Sequence, residues 1–160
     1  MSRPFRRALV AVTLLIAGTL AAATPAGAVN SVPTLTGIRT GLNPGFDRIV
    51  LDLGPGGTPV VSHQLFDELI ADPSGEIVWL TGEYFINVTV GHAAAHDDNG
   101  NLTYTGPQKF RTRNLHNVMA VAVTGDWEAQ LTIGLGVRSR TTVNVFTLTA
   151  PNRVVIDVAH

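Results

Sequence analysis

The chain has 160 residues, no cysteine, and 11 basic against 12 acidic side chains, so its formal net charge is −1. The lack of cysteine excludes disulfides, thiol catalysis and an acylated lipoprotein cysteine. Without the three arginines of its first 28 residues the chain keeps eight basic and twelve acidic side chains, a net charge of −4. Nucleic-acid binding needs clustered Lys and Arg, so we expect no nucleic-acid partner for a mildly acidic chain.

The first segment has the order of a secretory signal peptide. Arg3, Arg6 and Arg7 form a positive start, and residues 8–23 follow as an apolar run. The small residues at 26–28, Ala-Gly-Ala, match the pattern at which such peptides are cleaved. The apolar run is short for a membrane span, and the paired arginines leave the twin-arginine export route open beside the general one. This order predicts an exported protein.

The predicted organisation is therefore a signal peptide at 1–28, a short leader at 29–33 and one domain at 34–160. About 130 residues are enough to bury a core without disulfides. We expect the mature protein to be secreted or associated with the cell wall, monomeric, and without stable membrane insertion after cleavage.

The mature region reads as a series of short strands separated by turns. The predicted strands cover 35–40, 46–53, 60–66, 77–80, 83–90, 118–123, 127–135, 142–148 and 151–158. Eight or nine short strands without a sustained helical period are typical of an all-β, antiparallel β-sandwich.

Between these strands we predict one possible helical turn at 67–72, a turn at 124–126 and a long polar, solvated loop at 91–113. Two aromatic side chains are assigned by their phase. Trp127 shares the inward phase of the strand that follows it, whereas Phe85 alternates with polar residues and is placed on an outer face. Gly134 and Gly136 are interpreted as strand or bulge glycines, because the setting of a dinucleotide site is absent.

One phrase occurs twice, at 46–53 and at 151–158: an Arg, three aliphatic residues, an Asp and another aliphatic residue. Such Val- and Ile-rich runs predict central, buried strands. Arg and Asp four positions apart are separated by about 13 Å along a strand, so they are expected to pair with neighbouring strands and not with each other. The main interpretation is structural, and the alternative is contact with a ligand. The candidate binding residues are Phe85, Arg48, Asp52, Arg153 and Asp157.

Metal and catalytic patterns are weak. His92 and His96 stand near Asp97 and Asp98, but the sequence around them indicates a turn and fails the calcium-loop template. No serine lies in a nucleophile motif. We therefore expect no metal, no cofactor and no catalytic residue.

A carboxylate-based hydrolase stays open as an alternative, since Asp126, Glu128 and Asp157 could converge in three dimensions.

The order of three motifs resembles the AMIN-like domain of actinobacterial exported proteins and lipoproteins, over about residues 34–160. The motifs are Gly45-Phe46-Asp47-Arg48-Ile49-Val50-Leu51, then Gly125-Asp126-Trp127-Glu128 with Gly134-Leu135, and Pro151-Asn152-Arg153-Val154-Val155-Ile156-Asp157-Val158-Ala159-His160. The resemblance implies a β-sandwich related to AMIN domains, which help to localise cell-wall amidases and secretion components and are associated with peptidoglycan binding. The chain differs from many members in having no lipobox cysteine.

The functional expectation is an exported, non-catalytic binding module of the cell envelope, with peptidoglycan or another wall glycan as the leading ligand. An envelope protein is the other partner considered, bound at an exposed sheet edge.

Overall fold

The computed structural model describes residues 31–160, and the predicted signal peptide 1–28 lies outside them. The strands of this range are β1 (Leu35–Asn43), β2 (Phe46–Leu53), β3 (Val60–Phe66), β4 (Tyr84–Gly91), β5 (Lys109–Arg111), β6 (Val118–Trp127), β7 (Gln130–Val137), β8 (Val143–Leu148) and β9 (Arg153–Ala159). They form a four-stranded sheet in the order β1-β2-β9-β8 and a five-stranded sheet in the order β3-β4-β7-β6-β5. All the strand pairs are antiparallel, which confirms the predicted all-β sandwich. Within 31–160 no helix has the length and apolarity of a membrane span.

The core lies between the two sheets and takes alternate residues from their facing strands. Ile49 and Leu51 of β2 and Ile156 of β9 are fully buried, and so are Val88 of β4 and Ile133 of β7. Along β2 buried and half-buried residues alternate without a break, as expected for a strand with one face on a core. The two repeated phrases form β2 and β9, which are neighbours in the middle of their sheet, so their predicted central position is confirmed.

The outer face of the five-stranded sheet is crossed by residues 67–83, which join β3 to β4 and are called the crossing segment here. Leu69 is buried against β7, where a Cβ on Gly134 would clash with its side chain. A Cβ on Gly136 would clash with the backbone carbonyl of Thr81. Glycine permits this close backbone approach, so the two strand glycines of β7 make room for the crossing segment.

The predictions around residue 127 are wrong. Residues 124–126 belong to β6, and the turn lies at Glu128 and Ala129, whose φ angles are 49° and 56°. Two positive φ values describe the tight hairpin turn whose twist suits adjoining strands. Trp127 therefore ends β6 opposite the exposed Gln130, and its side chain is 56% exposed instead of inward.

The predicted strand at 77–80 and the possible helical turn at 67–72 are also wrong. Both ranges lie in the crossing segment, where an isolated antiparallel bridge joins Ile70 to Ile77. This segment lies across a sheet instead of pairing along it, so its apolar residues do not extend into a strand. One of them, Trp79, is left 80% exposed.

The loop predicted at 91–113 is packed and not simply solvated. Ala93, Ala95 and Tyr104 are buried in the core, and the range includes β5. Burial raises the pKa of the Tyr104 phenol. The range was predicted to be a solvated loop because its composition is largely polar. Its alanines are small enough for the backbone to pack closely on the core.

Candidate functional site

Four of the five predicted site residues lie on the face of the four-stranded sheet that points away from the core, called the outer face here. Arg48 and Asp52 alternate with buried residues of β2, and Arg153 and Asp157 stand in the equivalent positions of β9. The two strands pair so that Arg48 is opposite Asp157 and Asp52 is opposite Arg153. Antiparallel pairing of the two copies therefore sets each Arg against an Asp.

Arg48 and Asp157 form a bidentate ion pair across β2 and β9. The Arg48 Nε donates to Asp157 Oδ1 at 2.7 Å, and Nη2 donates to Oδ2 at 2.8 Å. The hydrogen bond to Asp157 raises the pKa of Arg48. This two-bond geometry fixes the guanidinium plane, and both side chains keep part of their surface in solvent.

The second pair joins Asp52 to an arginine of β1 and not to Arg153, which faces Asp52 on β9. Asp52 accepts from Arg39 of β1, at 2.6 Å from Nε and 2.7 Å from Nη2. The hydrogen bond from Arg39 holds the pKa of Asp52 below its usual value, and the charge of Arg153 lowers it further. Arg153 itself donates from Nε to the Pro151 carbonyl at 3.4 Å, and the described residues place no carboxylate within 4.0 Å of it. Its guanidinium is therefore the one of this group left open to another partner.

Two phenylalanines flank the first ion pair. The guanidinium carbon of Arg48 lies 5.1 Å from the ring centre of Phe46 and 5.8 Å from that of Phe146, within cation–π range. Beside it, a cleft of about 210 Å³ is bordered by Arg39, Arg48 and the turn end of β1. A Cβ on Gly41 would meet nothing within 4 Å, so the cleft is open there. The outer face thus combines aromatic rings with fixed charges.

Phe85 is not part of this group. It lies on β4 in the other sheet, half-buried, in register between Phe66 and Gly136. The outer face of that sheet carries the crossing segment, which explains why Phe85 is half-buried. Both tryptophans of the chain, Trp79 and Trp127, are largely exposed, which neither phase nor composition indicated.

Asp47 has a role that neither its phase nor its neighbours in the sequence indicate. It is fully buried on the core side of β2. Its Oδ2 accepts from the backbone N–H groups of Asn117 at 2.6 Å and Val118 at 2.8 Å, and its Oδ1 accepts from His116 N–H at 3.0 Å. Asp47 therefore fastens the start of β6 to the four-stranded sheet, a structural role.

The polar loop brings His96 onto Asp126, with Nδ1 to Oδ2 at 2.6 Å. Asp97 instead accepts from Asn99 and Asn101, and these bonds, above all from Asn101, lower its pKa. In residues 31–160 no group of three or more His, Asp or Glu side chains is arranged to hold a metal ion.

The carboxylates considered for hydrolysis lie in separate places. Asp126 is bonded to His96 in the five-stranded sheet, Asp157 is bonded to Arg48 in the other sheet, and Glu128 is at a hairpin turn.

Comparison with known families places this arrangement in one of them. Neither a comparison with curated proteins nor one with solved structures gave a match. The family model described as the AMIN-like domain matches residues 33–160, four-fifths of the chain and every strand of both sheets. The chain therefore belongs to the AMIN-like domain family.

Proposed function

We propose that the protein is an exported, non-catalytic module that binds peptidoglycan or another wall glycan through the outer face of the four-stranded sheet. The observation that carries the proposal is the composition of this face: the unpaired guanidinium of Arg153 shares it with two fixed Arg–Asp pairs and with the two phenylalanines that flank Arg48. Membership of the AMIN-like family supports it, since the related AMIN domains are associated with peptidoglycan.

The chemistry of this face suits a glycan. Sugars offer hydroxyl and amide groups that both donate and accept hydrogen bonds, together with apolar ring faces. Carboxylates with remaining lone pairs accept, guanidinium groups donate, and phenyl rings cover apolar patches. The bidentate pairs hold Arg48 and Asp52 in place before a ligand arrives, which reduces the conformational entropy lost on binding.

The distribution of covered and open surfaces also supports this face. The crossing segment occupies the outer face of the five-stranded sheet. On the four-stranded sheet, Arg39 of β1 is exposed. Its outer-face neighbours on β2 and β9 are half-buried: Arg48, Asp52, Arg153 and Asp157. The outer face of the four-stranded sheet is consequently the broader polar surface open to a polymer.

Export completes the proposal, because a wall glycan is met outside the cytoplasm. The positive start, the apolar run and the Ala-Gly-Ala at 26–28 support removal of residues 1–28. N-terminal sequencing of the exported protein should return Val29. Recovery of material that starts at Met1 or Ser2 would contradict cleavage.

The hydrolase alternative has less support. Its three carboxylates lie at separate sites, and two of them are engaged by Arg48 and His96. Incubation of the protein with purified sacculi should release no soluble fragments. Release that is abolished by Asp126→Asn would reverse this assignment.

A pull-down of the exported protein with purified sacculi tests the binding proposal, with Arg153→Gln as the variant. Loss of one charged hydrogen bond to the ligand should weaken binding about tenfold and leave Tm nearly unchanged. Arg138→Gln is the matched control, since Arg138 is exposed and also donates from Nε to a backbone carbonyl. If both variants bind sacculi as the parent does, this face is not the glycan site.

A further inference from the structure

A second charged surface lies on β5, an edge strand of the five-stranded sheet. Lys109 and Arg111 are exposed at alternate positions of this strand, and Arg113 follows at the same spacing and is also exposed. The residue between the first two, Phe110, packs on the core. Alternation on a strand places Lys109 and Arg111 on one face about 7 Å apart. The strand and its extension therefore present a row of cations along the edge of the five-stranded sheet.

These cations have no acidic partner in the described range. No carboxylate oxygen of residues 31–160 lies within 4.0 Å of Lys109, Arg111 or Arg113. The sequence also has no Asp or Glu between Asp98 and Asp126. Three of the eight basic residues beyond position 28 are thus concentrated in five positions of an otherwise acidic chain.

An exposed tryptophan adjoins the row. The crossing segment reaches this edge at Trp79, whose side chain is 80% exposed. Lys109 Nζ donates to the Trp79 carbonyl at 2.9 Å, which ties the segment to β5. Trp79, Lys109 and Arg111 line one cleft of about 220 Å³. An apolar ring left in water beside unpaired cations is a surface that a ligand with an apolar face and negative charges would complement.

We propose that this edge, formed by Trp79, Lys109, Arg111 and Arg113, is a second binding site, and that its ligand is an anionic polysaccharide with a carboxylate or phosphate on successive units. The cations would neutralise successive anionic groups, since their spacing is comparable with the length of one sugar unit. The indole would cover the apolar face of a sugar ring. The choice of a wall polymer rests on the proposed export, but the site is separate from the outer face of the four-stranded sheet.

The first test measures binding of the exported protein to polygalacturonate, which carries one carboxylate on each sugar, with uncharged dextran as the comparison. We expect binding to polygalacturonate alone, and weakening as NaCl is raised from about 50 to about 500 mM. The combined variant Lys109→Gln, Arg111→Gln, Arg113→Gln should bind about tenfold more weakly. Trp79→Ala, which keeps every charge, should weaken binding about threefold.

Arg140→Gln is the matched control. It removes one exposed cation that is paired with Asp67, so binding should change less than about twofold. Equal binding by the triple variant, or equally tight binding of single-stranded DNA, would overturn the proposal. An unchanged Kd for Trp79→Ala would remove the sugar-stacking part of it.

A second arm uses sacculi before and after hydrofluoric acid removes phosphate-linked polymers. The part of the retention that the triple variant loses reports on this edge. If that difference between parent and triple variant disappears after the treatment, the charge recognised is phosphate, and if it persists, the charge is carboxylate. Equal retention of parent and triple variant on untreated sacculi would contradict the proposal. Arg153→Gln should leave polygalacturonate binding unchanged. Failure at this edge is therefore distinguishable from failure of the outer face of the four-stranded sheet.

Discussion

Removal of the Asp47 carboxylate should cause a large loss of stability. Asp47→Ala leaves the backbone N–H groups of two buried residues, Asn117 and Val118, without their acceptor. It also removes the acceptor of the His116 N–H, but this residue is exposed and is not counted in the estimate. An unsatisfied buried donor costs about 1–3 kcal/mol, so two of them make a loss of about 4 kcal/mol the central expectation. For a domain of this size that corresponds to a fall in Tm of roughly 10–20 °C.

The conservative variant separates the hydrogen bonds from the packing. Asp47→Asn keeps one oxygen, which can still accept from Asn117 and Val118. Its amide nitrogen then faces the N–H of the exposed His116, which loses its acceptor. We therefore expect a loss of about 1 kcal/mol. Urea unfolding followed by circular dichroism measures both variants. Asp67→Ala is the control, because its ion pair is exposed and its removal should cost under about 0.5 kcal/mol. A loss below about 1 kcal/mol for Asp47→Ala would refute the reasoning.

Three further predictions can be checked by the same unfolding measurements. Gly136→Ala should destabilise the domain by about 1–3 kcal/mol, because its Cβ would clash with a backbone carbonyl of the crossing segment, whereas Gly41→Ala has open space and should cost little; equal losses would contradict this contact. Trp127→Ala should cost less than about 1 kcal/mol, since the ring is 56% exposed at the end of its strand; a loss of several kcal/mol would restore the inward placement. Because Arg39 lowers the pKa of Asp52 in the folded state, this carboxylate should stabilise the fold above its unfolded pKa of about 4 and lose that effect as the pH falls through the lower folded pKa. Asp52→Asn should therefore be less stable than the parent at pH 7 and show a flatter loss of stability in acid; parallel pH curves would refute this linkage.

The sandwich could be predicted because its signals are local. Alternation along β2 and β4 follows directly from the period of two, and Pro44-Gly45 gives the turn between β1 and β2 ordinary turn chemistry. The two repeated phrases are continuous aliphatic runs, so their central position was visible without any knowledge of their neighbours.

The hairpin around Trp127 could not be predicted by the same rules. Gly125-Asp126 has stronger turn chemistry than Glu128-Ala129, yet the chain turns at the latter with two residues at positive φ. Irregular pairing between Val123 and Gly125 lets β6 continue past the apparent turn. Tertiary pairing with β7 thus overrides the local preference.

The candidate site was found only in part. The Arg and Asp residues could be placed on one face, but their choice of partners is a long-range property: Arg48 bonds a residue 109 positions away. Asp47 was missed although its phase matches that of Ile49 and Leu51. Its backbone partners, about 70 positions away, leave no trace in the local sequence.

The pairing of β2 with β9 has a consequence for the direction in which a polymer can lie. Val50 faces Val155 at the centre, and a local two-fold axis there exchanges Arg48 with Arg153 and carries Asp52 onto Asp157. A chain laid across this axis would meet the same succession of charges from either end, although a glycan strand has distinguishable ends. A preferred direction for a bound polymer must therefore come from the flanking strands, which differ. An arginine borders one side on β1, and a phenyl ring borders the other on β8.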